Sequence, residues 1–247
     1  MPATPAWPPR SAPRLFVNGP LAMGAAVTVE GNQAHYLASV MRVREGDAVI
    51  LCDNLTGEWA ARVVSAGKRE VVLEPAEKLR EREQVPDFWL CAALLKRDRF
   101  DLVLEKASEL GVRRIQPVLA RRCVADKLNL ERAGAIVTEA AEQCARTALP
   151  ELAEPVKLEA LLRDWPAERA LFFADELGGE PAAAAYAAHS GSAALLIGPE
   201  GGFDDAERAA VRALPQALPI SLGPRILRGE TAAISATALW MATSGDW

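Results

Sequence analysis

The sequence predicts a small all-β module followed by an α/β domain whose sheet is mainly parallel. The chain has 247 residues, half of them hydrophobic, which is enough material for two domains with their own cores. Short β-rich runs separated by turn residues occupy the first third of the chain. From residue 88 onwards strands alternate with helices, as in α/β proteins. We place the boundary so that the domains are residues 1–75 and 76–247.

The N-terminal module consists of short runs rich in β-forming residues, with glycine, asparagine and proline between them. This punctuation is typical of a barrel or a sandwich, and a barrel would close its own sheet edges. The segment from Gln33 to Met41 interrupts the runs and is predicted as one short helix. The predicted strands are Arg14–Val17, Ala25–Glu30, Asp47–Leu51, Glu58–Val64 and Glu70–Glu74.

A charged segment at residues 75–87 is predicted as a linker, and the hydrophobic pattern changes after it. Phe88–Leu95 is a continuous apolar run, which is typical of a buried parallel strand. Asp204 and Glu207 have the spacing of a capping box at the start of a helix. The other predicted strands are Ile115–Leu119, Ala170–Ala174, Ala193–Ile197 and Ala217–Leu222. The predicted helices are Arg99–Leu110, Leu130–Leu149, Pro181–His189 and Glu230–Thr243.

Composition argues against several classes of protein. No apolar run reaches the roughly 18 residues that span a bilayer, and the N-terminus lacks the apolar core of a signal peptide. The four cysteines are far apart with no CxxC pair, and there are only two histidines. Neither a disulfide framework nor a metal site is therefore expected. We expect a cytoplasmic protein with no membrane partner and no metal.

The charge is uneven along the chain. A net charge of -5 argues against tight, non-specific binding to nucleic acid. Residues 76–130 nevertheless carry twelve Lys and Arg against nine Asp and Glu, including a basic strip at Lys96–Arg99. A local basic face can bind phosphates even on an acidic protein. The strip is therefore either a phosphate-binding face or ordinary solvated surface charge.

A glycine-rich loop follows the predicted strand Ala193–Ile197. In open parallel sheets, ligands bind beyond the carboxyl ends of the strands. The loop Gly198–Phe203 has the sequence GPEGGF, and its three glycines allow a ligand to approach main-chain groups closely. It lacks the GK[ST] of a phosphate-binding loop. A plain strand-to-helix turn is the alternative interpretation.

A second loop follows the predicted strand Ala217–Leu222. Two arginines flank two apolar residues in it. Ile226 and Leu227 are suited to wrap an apolar ring, while Arg225 or Arg228 holds an anion. The alternative interpretation is that these two apolar side chains fill the core, and both interpretations can hold at once.

The two loops together carry a family resemblance. GPEGGF at 198–203 and LGPRILRGETA at 222–232 closely resemble the SPOUT superfamily of S-adenosylmethionine-dependent RNA methyltransferases. Within it, the match is to the family that methylates N3 of a uridine in small-subunit (16S) ribosomal RNA. KASELGV at 106–112, EAAEQCAR at 139–146 and HYL at 35–37 also resemble that family. The resemblance covers nearly all of the chain after about Pro13; Gly229 departs from it, since the family more often has threonine.

The resemblance implies an N-terminal PUA-like β-barrel and a C-terminal α/β methyltransferase domain with a trefoil knot. It also implies a homodimer whose active sites lie at the subunit interface. S-adenosylmethionine would bind in the loops after the strands, with the end of the Ala170–Ala174 strand as a third wall. The implied cofactor-binding residues are Ala174, Leu196, Ile197, Gly198, Pro199, Glu200, Gly201, Gly202, Leu222, Gly223, Ile226, Leu227, Arg228 and Thr231.

The resemblance also suggests roles in catalysis and RNA binding. N3 of uridine is protonated at neutral pH, so the protein must help to remove that proton. Arg228 would stabilise the negative charge that develops on the uracil oxygens. Glu230 would accept the proton, or would only begin the last helix, where a carboxylate is favourable. The implied RNA-binding residues are Arg14, His35, Arg42, Lys96, Arg97 and Arg225. The alternative interpretation of His35 is a hydrogen-bonded structural residue.

The implied partner is ribosomal RNA, in an assembled small subunit. Two other functions stay open at the level of sequence. A related SPOUT enzyme would methylate a ribose 2′-hydroxyl. A non-catalytic, RNA-binding ribosome assembly factor would use the cofactor pocket structurally. The predicted barrel and the Arg225–Thr231 signature disfavour the first function, and the intact glycines with Arg228 disfavour the second.

Overall fold

The computed structural model describes residues 7–247, which form two units. The first unit contains the described residues up to Gln84 and also Ala141–Ala148. The second contains Val85–Ala140 and Leu149–Trp247. Residues 1–6, part of the segment predicted not to be a signal peptide, lie outside the described residues. Within 7–247 the helices are too short or too polar to cross a lipid bilayer.

The first unit is built on a five-stranded sheet in the order β1-β3-β4-β5-β2. β1 pairs with β3 in parallel, and the other neighbours are antiparallel. Register shifts between β4 and β5 add curvature to the sheet. The strands are β1 (Arg14–Phe16), β2 (Val27–Glu30), β3 (Ala48–Cys52), β4 (Glu58–Ala66) and β5 (Glu70–Arg80).

The sheet is a curled half-barrel, as in PUA-like domains. The expected barrel does not close through hydrogen bonds, because β1 and β2 stay at opposite edges of the strand order within the described residues. Between β2 and β3 lie helix α1 (Gly31–His35) and a π-helical segment (Tyr36–Met41), where one short helix was predicted. The unit extends nine residues beyond the predicted boundary, since β5 continues as a strand through residues expected to be a linker.

The second unit is an α/β domain whose eight strands all pair in parallel. Their order is β11-β13-β10-β12-β6-β7-β8, with β9 pairing to β7. The strands are β6 (Phe88–Ala93), β7 (Arg114–Leu119), β8 (Glu151–Leu152), β9 (Val156–Lys157), β10 (Ala170–Ala174), β11 (Glu180–Pro181), β12 (Ala193–Ile197) and β13 (Ala217–Ser221). The helices are α2 (Arg97–Glu109), α3 (Leu130–Gln143), α4 (Leu158–Arg163), α5 (Ala182–Ala187), α6 (Asp205–Ala213) and α7 (Gly229–Ser244).

The prediction of a parallel α/β sheet is confirmed, and helices cover both of its faces. On one face, α2, α5 and α7 contribute to the core around Phe88, whose ring stacks on Trp240 at 4.1 Å between centroids. On the other face, α4 and α6 pack with Phe173 and Phe203. Four short elements were not predicted: β8, β9, β11 and α4. All five residues of β12 are buried at the centre of the sheet.

The prediction that α3 continues to Leu149 is wrong, because the helix ends at Gln143. Ala145 adopts a left-handed conformation with φ of 63°, and the amide of Arg146 donates to the carbonyl of Ala141 at 3.0 Å. This is the geometry of a helix C-cap. The Glu83 carboxylate then accepts hydrogen bonds from the next two amides, at 3.0 and 2.9 Å. Those bonds hold the chain in a non-helical path well before Pro150.

Candidate active site

A pocket of about 370 Å³ lies beyond the carboxyl ends of β10, β12 and β13. This is the edge at which open parallel sheets bind ligands, and the volume lies within the range of small-molecule sites, about 300–1,000 Å³. Three chain segments wall the pocket: the residues after β10, the glycine-rich loop after β12, and the loop from β13 to α7. In the described part of the chain no cluster of His, Cys, Asp and Glu is arranged to hold a metal ion.

The glycine-rich loop after β12 is fixed by a turn and by a buried aromatic side chain. The amide of Gly202 donates to the carbonyl of Pro199 at 2.9 Å, which closes a tight turn. Gly202 has φ of 66°, a conformation that other residues rarely adopt. Phe203 is buried, and its ring lies 5.6 Å from that of Phe173 between centroids. The loop therefore presents main-chain groups to the pocket from a rigid base.

The predicted capping box at the end of this loop is present. The Asp204 carboxylate accepts from the amide of Glu207 at 2.7 Å, and the Glu207 carboxylate accepts from the amide of Asp204 at 3.1 Å. The hydrogen bond from the Glu207 amide is the main cause that lowers the pKa of Asp204, and Arg121 lowers it further. The amide of Arg121 also donates to Glu207 at 2.7 Å. These contacts anchor the loop to the segment that follows β7.

In the loop from β13 to α7, the two apolar residues Ile226 and Leu227 have different surroundings. Leu227 is partly buried and packs against the main core, whereas Ile226 is 94% exposed on the pocket wall. The side chains of Arg225 and Arg228 are exposed and make no hydrogen bond or ion pair within residues 7–247. Two unneutralised cations therefore lie on the wall of the pocket.

The third wall begins with Ala174 and continues into two carboxylates. Asp175 is completely buried and binds Arg212, with 2.6 Å between Oδ2 and Nη2. Arg208 binds both Asp175, at 3.3 Å, and Glu176, at 2.6 Å. Arg208 lines the pocket and was not predicted. Its only sequence signal is its place on the helix that follows the glycine-rich loop.

Most of the predicted cofactor-binding residues line this one pocket. They are Ala174, Ile197, Gly198, Pro199, Glu200, Gly202, Leu222, Gly223, Ile226, Leu227 and Arg228. Three others do not line it. Leu196 is buried in the core that contains Phe173 and Phe203, Gly201 has its carbonyl bound by Arg122 at 3.0 Å, and Thr231 is exposed on α7.

The two predicted catalytic residues differ in their surroundings. Arg228 lines the pocket, but Glu230 does not. The Glu230 Oε1 atom binds Nη1 of Arg99 at 2.5 Å, and its side chain is only 12% exposed. Its Oε2 atom is buried and has no hydrogen-bond partner within the described chain. The structure thus places Glu230 in the first turn of α7, bound to α2 and outside the pocket lining.

The predicted RNA-binding residues also differ. In the first unit, His35 and Arg42 are exposed, as are Lys96, Arg97 and Arg225 in the second. Arg14 is only 17% exposed and binds Glu58 at 2.5 Å. Arg80 binds the same carboxylate. The charge of Arg14 is therefore paired within its own sheet, and Arg14 is not suited to contact RNA phosphates.

A parallel α/β sheet with a loop-walled pocket at its carboxyl edge, preceded by a PUA-like half-barrel, defines this protein as a methyltransferase of the SPOUT class. Residues 81–241 match the family model described as RNA methyltransferase domain, and residues 29–76 match that described as RNA methyltransferase PUA domain. The chain belongs to this family of RNA methyltransferases.

Named relatives and solved structures agree with this membership. The ribosomal RNA small subunit methyltransferase E of Synechocystis is 34% identical over 91% of this chain and 76% of its own length. That of Mycobacterium bovis is 31% identical over 90% and 91%. The structure of the Neisseria gonorrhoeae enzyme of the same name, bound to S-adenosyl methionine, is 29% identical. It superposes with a TM-score of 0.86 over 96% of this chain and 99% of its own.

A methyltransferase structure from Legionella pneumophila in complex with bound S-adenosylmethionine gives the same values. Its identity is 29% and its TM-score is 0.86, over 96% of this chain and 99% of that one.

Proposed function

We propose that this protein transfers a methyl group from S-adenosylmethionine to N3 of a uridine in small-subunit ribosomal RNA. The observation that carries the proposal is the pocket itself. Its walls are loops that present main-chain groups, and its lining includes Arg228, which has no carboxylate partner within residues 7–247. Relatives that share about a third of their residues over nine-tenths of this chain are named small-subunit ribosomal RNA methyltransferases.

The residues of the pocket fit S-adenosylmethionine. The side chains of Ile197, Leu222 and Leu227 supply apolar surface for the adenine ring, and main-chain groups of the same loops can bind its polar edge. Glu176 also lines the pocket, where its carboxylate is paired with Arg208. When bound, the cofactor supplies an activated methyl group on a sulfonium.

Arg228 then assists the loss of the proton from N3. A uracil that gives up this proton gains negative charge on its two oxygens, and a guanidinium beside them stabilises that charge. Because Arg228 has no carboxylate partner within residues 7–247, its full positive charge is available to the substrate. Glu230 is occupied by Arg99, so we do not assign it as the proton acceptor.

RNA is held by exposed basic residues in both units: His35 and Arg42 in the first, and Lys96, Arg97 and Arg225 in the second. Lys and Arg side chains bind phosphates with little regard to sequence, so these residues provide affinity and not specificity. Each phosphate contact makes the slope of log K against log salt more negative, and therefore steeper, by about 0.7–0.9. We further propose that the protein acts as a cytoplasmic homodimer on assembled small subunits, which light scattering and a comparison of subunits with naked RNA would test.

The direct test is methyl transfer from labelled S-adenosylmethionine to small subunits that lack the modification, followed by nucleoside analysis. We expect the label in 3-methyluridine. Label in a 2′-O-methylated nucleoside would indicate ribose methylation instead. No label, with cofactor binding retained, would favour a non-catalytic binding factor. Arg228→Ala should lower kcat by about 10²-fold or more and leave the cofactor Kd nearly unchanged; a normal kcat would remove Arg228 from the mechanism.

A further inference from the structure

The start of α2 and the two residues before it contact both loops of the pocket, at three points. The amide of Lys96 donates to Glu200 of the glycine-rich loop, at 3.1 Å from Oε1. The side chain of Leu95 lies directly against Gly229, so closely that a Cβ at Gly229 would come within 2.9 Å of it. Arg99, in the first turn of α2, binds Glu230. The last two contacts hold the residues that immediately follow Arg228.

We propose that Arg99 is a positioning residue that fixes the first turn of α7, and through it Arg228 and the cofactor-binding loop, rather than an RNA contact. This inference rests on the proposed function. The basic strip Lys96–Arg99 is therefore divided: Arg97 faces solvent, while Arg99 is directed to the interior of its own unit.

The geometry of the pair supports a positioning role. Arg99 is 31% exposed and Glu230 12%, so the pair is shielded from most of the solvent that weakens surface ion pairs. Glu230 also lies in the first turn of α7, where the helix dipole favours a negative charge. Within residues 7–247, Arg99 is the only hydrogen-bond partner of this carboxylate, and its other oxygen has none. Removing Arg99 leaves a buried carboxylate with no partner, and the first turn must move to hydrate it.

The test compares Arg99→Ala with two matched variants. Arg97→Ala removes a neighbouring exposed charge. Arg132→Ala breaks another ion pair of the same helix, to Asp101, with a similar degree of exposure. The measurements are cofactor affinity by calorimetry without RNA, KM for each substrate, kcat, and the salt dependence of RNA binding. Amide hydrogen exchange of residues 226–234 in the cofactor-free protein is measured as well.

We expect Arg99→Ala to weaken cofactor binding about tenfold, equivalent to about 1.4 kcal/mol. Exchange of the 226–234 amides should rise by a similar factor, with the KM for RNA and the salt slope unchanged. Arg97→Ala should leave cofactor affinity and amide exchange unchanged. It should make the salt slope shallower by about the amount of one phosphate contact. Arg132→Ala should change neither cofactor affinity nor exchange at 226–234.

Two results would overturn the inference. A reduced salt slope for Arg99→Ala, with normal cofactor affinity, would make Arg99 an RNA contact. Equal behaviour of Arg99→Ala and Arg132→Ala would show that the ion pair positions nothing. Hydrogen exchange needs neither cofactor nor RNA. A wild-type protein that failed to methylate uridine would refute the proposed function, but the amide exchange of Arg99→Ala and Arg132→Ala could still be compared.

Discussion

Replacing Gly202 by alanine should weaken cofactor binding through backbone strain. Gly202 has φ of 66°, and a side chain there costs about 1–2 kcal/mol. The added Cβ would also lie 3.1 Å from a carboxylate oxygen of Glu176. That side chain is 52% exposed and can turn away, so the steric part of the cost is small. The backbone term therefore decides the size of the effect.

The strain is relieved if the loop relaxes, and cofactor binding must then restore the strained shape. A cost of 1–2 kcal/mol corresponds to a cofactor affinity about 5- to 30-fold weaker. If the loop does not relax, the same cost is taken from folding stability, and Tm falls by about 2–8 °C for a chain of this size. Calorimetric titration with S-adenosylmethionine and thermal unfolding measure the two quantities.

Gly191→Ala is the matched control. Gly191 has φ of 110° with open space around it, and it lies before β12, at the opposite end of the strand from the pocket. It should lower Tm without changing cofactor affinity. The reasoning would be refuted if Gly202→Ala left both cofactor affinity and Tm at their wild-type values, or if Gly191→Ala weakened cofactor binding equally.

Three further predictions concern stability and reactivity. Burial acts to raise the pKa of Glu58, but hydrogen bonds and charges of its two arginine partners lower it overall, from an ordinary value of 4.5. The stabilisation is therefore present above about pH 4.5 and is lost as pH falls through the lowered pKa. Glu58→Gln should be less stable than wild type at neutral pH, with a difference that shrinks in acid during urea titrations. Burial raises the pKa of Cys91 to about 12, so an alkylating reagent should label exposed Cys144 first and Cys91 only on unfolding; rapid labelling of Cys91 would contradict this. Glu83→Ala removes the acceptor of two buried amides and should cost about 1–3 kcal/mol by urea unfolding. Glu81→Ala, at an exposed ion pair, should cost under about 1 kcal/mol, and equal losses would count against the role of Glu83.

Elements with a strong local pattern were predicted well. β10 and β12 have the predicted bounds, because each is a continuous apolar run limited by polar or glycine residues. The capping box before α6 was predicted from two residues, since both of its hydrogen bonds form within one turn. The glycine-rich loop was placed correctly after β12 for the same reason: its signal is local.

Elements defined by distant neighbours were not predicted. β8, β9 and β11 have two residues each and count as strands only because β7 and β13 lie beside them. The end of α3 depends on Glu83, which lies 64 residues from Thr147 in the chain and accepts its amide. The alanine-rich segment 130–149 favours a helix, and a distant carboxylate overrides that preference near its end.

The sequence by itself determined the alternation of strands and helices, and it placed two unusual loops after β12 and β13. These features depend on periodicity and on residue types within a few positions of each other, which a linear reading can detect. Family resemblance then added the chemistry expected of the loops.

Only the tertiary structure decided what each charged residue does. The sequence does not show which carboxylate, if any, pairs with Arg14, Arg99 or Arg228. In the folded chain, Arg14 is held by Glu58, Arg99 is held by Glu230, and Arg228 has no partner within residues 7–247. The physical reason is that an ion pair depends on distance in space, and Arg99 and Glu230 are 131 positions apart in the chain. A positive charge is a property of the residue, but whether that charge is available to a substrate is a property of the fold.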